Sequence, residues 1–151
     1  MRWVISLLAA VLVGYSLSIV INASVSAATL IGFGIEVSLS DRLDMIAKER
    51  VGLGTVYLPL YLILHAICFW LLGLILRNRA VTTVIARATY AGIGALSLMT
   101  FYLTFDAVMG SGGVIVASTR TSAGLFAHAA TGGVSGLLFQ LLNHGSTGQS
   151  D

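Results

Sequence analysis

Residues 53–76 read LGTVYLPLYLILHAICFWLLGLIL, a stretch of 24 positions without one charged side chain. A helix of that length is about 36 Å long, enough to cross the roughly 30 Å hydrocarbon core of a bilayer. The run does not alternate apolar and polar residues as a strand of a membrane barrel must. In lipid its backbone therefore has to bond to itself, and a helix is the structure that does so. Pro59 removes one backbone donor and frees the carbonyl of Thr55, which predicts a bend in the second turn of this span.

Three more segments have the same character, at about residues 3–28, 84–105 and 122–142. Across the 151 residues 57% are apolar and 9% charged, where a soluble domain carries about 25% charged residues. Such a chain cannot cover its own surface with polar groups, whereas lipid can cover it. Met1 and Arg2 before the first apolar run, with Val25-Ser26-Ala27 after it, imitate a secretory signal. The apolar run is longer than the 7–15 residues usual for a signal core, so a retained helix is expected.

The one strongly charged stretch is 41–51, after a linker whose residues 35–40 alternate as an extended segment does. Ser40 is the expected N-cap, Asp41 suits the helix N-terminus, and Asp44 with Lys48 forms an i,i+4 pair. Leu43, Ile46, Ala47 and Val51 share one arc, which predicts an amphipathic helix at the membrane surface, ended by Gly52 and Gly54. The predicted fold is all-α: a four-helix transmembrane bundle over 1–142, with that interfacial helix between spans one and two. A flexible tail is expected over 143–151, and a glycine-rich connector around Gly110, Gly112 and Gly113.

Orientation follows the basic residues. Arg77 and Arg79 form a short basic turn, and Arg2 and Arg87 lie on the same side of a four-span chain. Arg42, Lys48 and Arg50 point the other way. The expected placement has both termini cytoplasmic, in a bacterial inner membrane.

Small residues mark the packing surfaces, because backbones must approach closely where the solvent is as apolar as leucine. In the first span Ala10, Gly14, Ser18, Asn22 and Ser26 recur every fourth residue. In the third, Ala88, Ala91, Gly92 and Ala95 gather on one arc, and in the fourth Gly124, His128, Gly132, Gly136 and Gln140 form another row. These rows pack the bundle, and one of them is expected to be left over for a second copy or another membrane subunit.

Ionisable groups inside a span are costly and mark candidate sites. His65 falls near the middle of the second span with Tyr61 on the same face, His128 lies near the start of the fourth, and Asp106 closes the third. Two histidines can ligate a haem b iron, handle a proton or meet a quinone. Their expected depths differ by about 9 Å at 1.5 Å per residue, which is awkward for a shared haem.

Several classes are excluded. Cys68 is the single cysteine, so neither a disulfide framework nor a cysteine-rich zinc site can form within the chain. No basic stretch interleaves with aromatics, so nucleic acid is not an expected partner. The glycines from Gly110 to Gly113 lack the Lys and Ser or Thr of a phosphate loop, and no serine sits in a nucleophile motif. The expectation is a small membrane protein with no catalytic activity or resident cofactor, partnered by the lipid bilayer and by itself or other membrane subunits. The alternatives are a haem- or quinone-binding anchor and an oligomeric channel or small transporter lined by Ser18, Asn22, His65 and Asp106.

Overall fold

The computed structural model describes residues 1–109 and 117–144. Among them it holds five helices, α1 (Arg2–Gly32), α2 (Leu39–Gly54), α3 (Tyr57–Leu76), α4 (Thr83–Met109) and α5 (Ser122–His144), with a 3-10 turn at Ala117–Arg120. No strand occurs among the described residues. Four of the helices, α1, α3, α4 and α5, are long and apolar enough to cross a membrane. Gly110, Gly112, Gly113 and the tail from residue 145 lie outside the described residues.

The chain runs up α1, down α3, up α4 and down α5, so that Arg2, at the lower end, donates from its guanidinium to the Leu142 carbonyl at 3.1 and 3.2 Å. The helix α1 exceeds its expected length. Its 31 residues reach about 46 Å, well beyond a bilayer core, and the helix stops only at Gly34. There the chain turns left-handed, at φ +79°. The Gly34 and Ile35 amides bond back to the Ile31 and Leu30 carbonyls at 2.9 and 3.1 Å, which is the glycine stop of a Schellman motif.

Ser38, not Ser40, caps α2. Its hydroxyl accepts from the Asp41 amide at 3.2 Å, while its own amide donates to the Asp41 carboxylate at 2.9 Å. The reciprocal pair is a capping box, and it starts the helix two residues before the expected boundary. Gly52 and Gly54 do not end α2 early; both lie within it. The break comes at Thr55 and Val56, and its cause is Pro59. A proline needs no amide partner in a first turn, and Pro59 is the third residue of α3. The expected bend inside a long span is therefore a junction between two helices.

The helices meet through glycine. A methyl group on Gly94 would lie 2.1 Å from the Gly132 carbonyl oxygen, and one on Gly132 would lie 2.2 Å from that of Gly94. On Gly136 it would meet the Tyr90 carbonyl at 2.0 Å. These distances leave no room for a side chain, so α4 and α5 touch backbone to backbone. On α1, Ala10, Gly14, Ser18 and Asn22 are all buried, and a methyl on Gly14 would sit 1.9 Å from Ser135 Oγ.

On α4 the expected row divides. Ala88 and Gly92 are exposed, whereas Ala91 and Ala95 are half-buried beside Gly133 of α5, where a methyl would lie 3.4 Å from the Ala91 carbonyl oxygen and 3.6 Å from the Ala95 Cβ. The buried arc is Tyr90, Gly94, Leu98 and Tyr102. Helix α4 carries small residues on two arcs, and the large side chains beside Gly94 supply buried surface that the alanines cannot. Gly124 packs against the 3-10 turn rather than another long helix, its methyl position being 1.9 Å from the Ser118 carbonyl.

Candidate functional site

The upper half of the bundle contains a continuous polar chain drawn from α1, α3, α4, α5 and the 3-10 turn. Tyr102 on α4 donates to the Tyr57 hydroxyl on α3. Tyr57 lies 2.9 Å from Ser18 Oγ on α1, and Ser18 lies 2.5 Å from Nδ1 of His128 on α5. The other ring nitrogen, Nε2, is 2.7 Å from Ser118 Oγ. The Ser118 amide donates to Asn22 Oδ1 at 3.2 Å, and Asn22 Nδ2 donates to the Glu49 carboxylate on α2 at 2.9 Å.

Donor counting gives the hydroxyl part of this chain a direction. Tyr57 accepts from Tyr102, so its own proton goes to Ser18, and the Ser18 proton goes to His128 Nδ1. A neutral imidazole has one donor and one acceptor nitrogen. Nε2 therefore carries the ring proton and donates it to Ser118. Every group from Tyr102 to His128 is then satisfied without a charge, which matters because Ser18, His128 and Ser118 are each at most 2% exposed. At the mouth, partial burial raises the Glu49 pKa, with the Asn22 hydrogen bond opposing the shift. At the exposed start of α2, the hydrogen bonds from Ser38 hold the Asp41 pKa below its ordinary value.

One turn deeper, Ser135 gives its one hydroxyl proton to a backbone carbonyl, that of Ala10 lying at 3.1 Å, so Tyr61 donates to Ser135 Oγ at 2.9 Å. Tyr61 stacks on His65 with ring centroids 4.3 Å apart and 8° between planes. His65 Nδ1 is 2.9 Å from the Tyr61 carbonyl. It therefore donates to that carbonyl, and Nε2 is left as a buried acceptor with no partner among the described residues. Below His65 the bundle is aromatic. Phe69 stacks on Phe139 at 4.9 Å, Tyr90 closes on Phe139 at 5.3 Å, and Trp3 meets Phe139 edge-on at 5.8 Å.

Of the expected site residues, the structure brings Tyr61 and His65 together and places His128 apart from them, in the upper chain. His128 is joined through Ser18 to Tyr57, eight residues before His65 and so about 12 Å higher along α3. Asp106 is exposed near the upper end of α4. The haem alternative needs a free nitrogen on each histidine, and both nitrogens of His128 are within hydrogen-bond distance of serines. The pair does not fit a shared iron. Among the described residues no group of three His, Cys, Asp or Glu side chains is placed to hold a metal.

Tyr57, Tyr102, Ser118, Ser135 and Glu49 belong to the network without having been singled out as site residues. Tyr57 shares the face of Tyr61 and His65, a signal present in the spacing. Ser118 follows an uncharged stretch with no periodicity, and nothing local marks it. No family model, curated protein or solved structure matches the chain.

Proposed function

We propose that the chain is an integral membrane protein of four spans, α1, α3, α4 and α5, with α2 on the membrane surface, and that it serves as a non-catalytic association subunit. It joins copies of itself, or a larger membrane complex, through the small-residue face of α4. Both termini lie on the cytoplasmic side of a bacterial inner membrane, with the basic turn at Arg77 and Arg79 beside them.

The observation that carries this reading is which small residues the bundle consumes. The rows of α1 and α5 are used up inside it, with Ala10, Gly14, Ser18, Asn22, Gly132 and Gly136 all buried. Ala88 and Gly92 face outward, beside exposed Ile85 and Leu96, and nothing lies within 4 Å of a methyl placed on Gly92. An outward strip of Ala and Gly lets a second helix approach to backbone distance. The intramembrane polar groups support a structural role, since those of the upper chain bond to one another across helices.

A conducting role is disfavoured for the single chain by the stack of Phe69, Phe139, Tyr90 and Trp3 that closes its lower half. The test is native mass spectrometry in mild detergent. A dimer or larger species that falls to monomer in Gly92→Leu supports the reading. Wild-type protein that is strictly monomeric, with no companion subunit, sinks it.

A further inference from the structure

At the lower end of the bundle, α1, the α3–α4 turn and α5 enclose a crevice of about 390 Å³. Among its lining residues are Arg77, Arg79, Trp3, Tyr90, Gln140 and Asn143. Two facts set it apart from the grooves along the lipid-facing helices. Among the described residues its end of the molecule carries one sign of charge: Arg2, Arg77, Arg79 and Arg87 lie there, whereas Glu36, Asp41, Asp44, Glu49 and Asp106 lie at the other end. And Gln140, 3% exposed, keeps an amide oxygen with no hydrogen-bond partner among the described residues.

We infer, resting on the membrane reading above, that this crevice binds the phosphate headgroup of an anionic phospholipid. Arg77 and Arg79 sit at the height of the headgroup layer, where the apolar helices end. Neither guanidinium has a carboxylate partner among the described residues. Arg2, at the same end, is already turned onto the Leu142 carbonyl. Helix dipoles do not decide the sign here, because two N-termini and two C-termini meet at this end. The arginines do. Guanidinium forks match phosphate oxygens in pairs, and Trp3 is an amphipathic ring suited to the interface beside them. Gln140 contributes an acceptor for a headgroup hydroxyl such as that of phosphatidylglycerol.

The experiment compares lipid retention by native mass spectrometry for detergent-purified protein given phosphatidylglycerol, phosphatidylcholine or inorganic phosphate. Phosphatidylglycerol is expected to stay bound and phosphatidylcholine to leave. The double substitution R77Q/R79Q should weaken phosphatidylglycerol binding about thirtyfold, given what each of the two basic side chains contributes near an anionic headgroup. Arg87→Gln removes a charge from the same end without touching the crevice, and should leave binding unchanged. Equal retention of the two lipids, full binding by R77Q/R79Q, an equal loss in Arg87→Gln, or saturation by inorganic phosphate alone would each overturn the site. A protein that stays dispersed without surfactant instead overturns the membrane reading itself, a failure visible before any lipid is added.

Discussion

The two halves of the bundle are held together by different physics. In the upper half, five hydrogen-bonding side chains from five elements close on one another, from Tyr102 through Tyr57, Ser18 and His128 to Ser118. In the lower half, Phe69, Phe139, Tyr90 and Trp3 fill the same cross-section with rings. In the membrane setting proposed above, helices gain little from hiding apolar surface, so the rings contribute through dense packing and the polar chain through directional bonds. The difference teaches a division of labour. Packing supplies most of the cohesion, and hydrogen bonds choose which residue faces which. A ring tolerates sliding by a fraction of a turn; the His128 imidazole, with serines on both nitrogens, does not.

That contrast can be broken by exchanging damage between the halves. Phe139→Ala should cause the largest loss, about 3 kcal/mol, because Phe139 is fully buried among three other rings and a cavity would remain. Unfolding by a denaturing detergent, titrated against mild detergent, measures it. His128→Leu should cost about 1–2 kcal/mol, since it leaves the Ser18 and Ser118 hydroxyls each short of one partner in a dry interior. A larger loss for His128→Leu than for Phe139→Ala would reverse the assignment of roles. Tyr102→Phe removes only the terminal donor of the chain, and about 0.5 kcal/mol is expected from the same titration. If it instead matches His128→Leu, the chain acts as one cooperative unit rather than a set of pairs.

The halves also differ in how far they could be read beforehand. Each long helix announces itself because hydropathy adds over twenty positions, and no single residue decides it. The lower rings follow from the same sum: any bundle of these spans must bury Phe69 and Phe139 somewhere. The upper chain depends instead on the rotation of each helix. On α4 the sequence leaves that rotation open, because the arc through Ala88, Gly92 and Ala95 is as good a contact surface as the buried arc through Gly94. Only the approach of Gly132 to Gly94 selects between them, and that is a relation between distant segments. The spacing marks His128 as a polar group that must find a partner on a neighbouring helix, but not that Ser18 takes its Nδ1 and Ser118, brought back by the turn before α5, its Nε2. Local capping is partly legible: the Ser and Asp signals for α2 were there, but Ser38 and Ser40 compete for the cap, and the reciprocal bond with Asp41 settles it in favour of Ser38.

The smallest expected effect probes the mouth of the upper chain, where it leaves the bundle at Glu49. Burial raises the Glu49 pKa in the folded protein, so the folded state holds that proton more tightly than the unfolded chain does. Between the ordinary carboxylate value and the raised one, the folded state is protonated and the unfolded state is not. Stability therefore falls as pH rises through that window and is regained on acidification. Asp41 has the opposite sign. Its pKa is lowered by Ser38, and the stability it contributes is lost as pH drops below the ordinary carboxylate range. The two groups predict a shallow maximum in thermal stability on the acid side of neutrality. Glu49→Gln should flatten its alkaline flank, and Asp41→Asn its acid flank. A Glu49→Gln protein whose alkaline flank is as steep as the wild type's would show that Asn22 holds a carboxylate already at ease in water, and that the polar chain ends at Asn22.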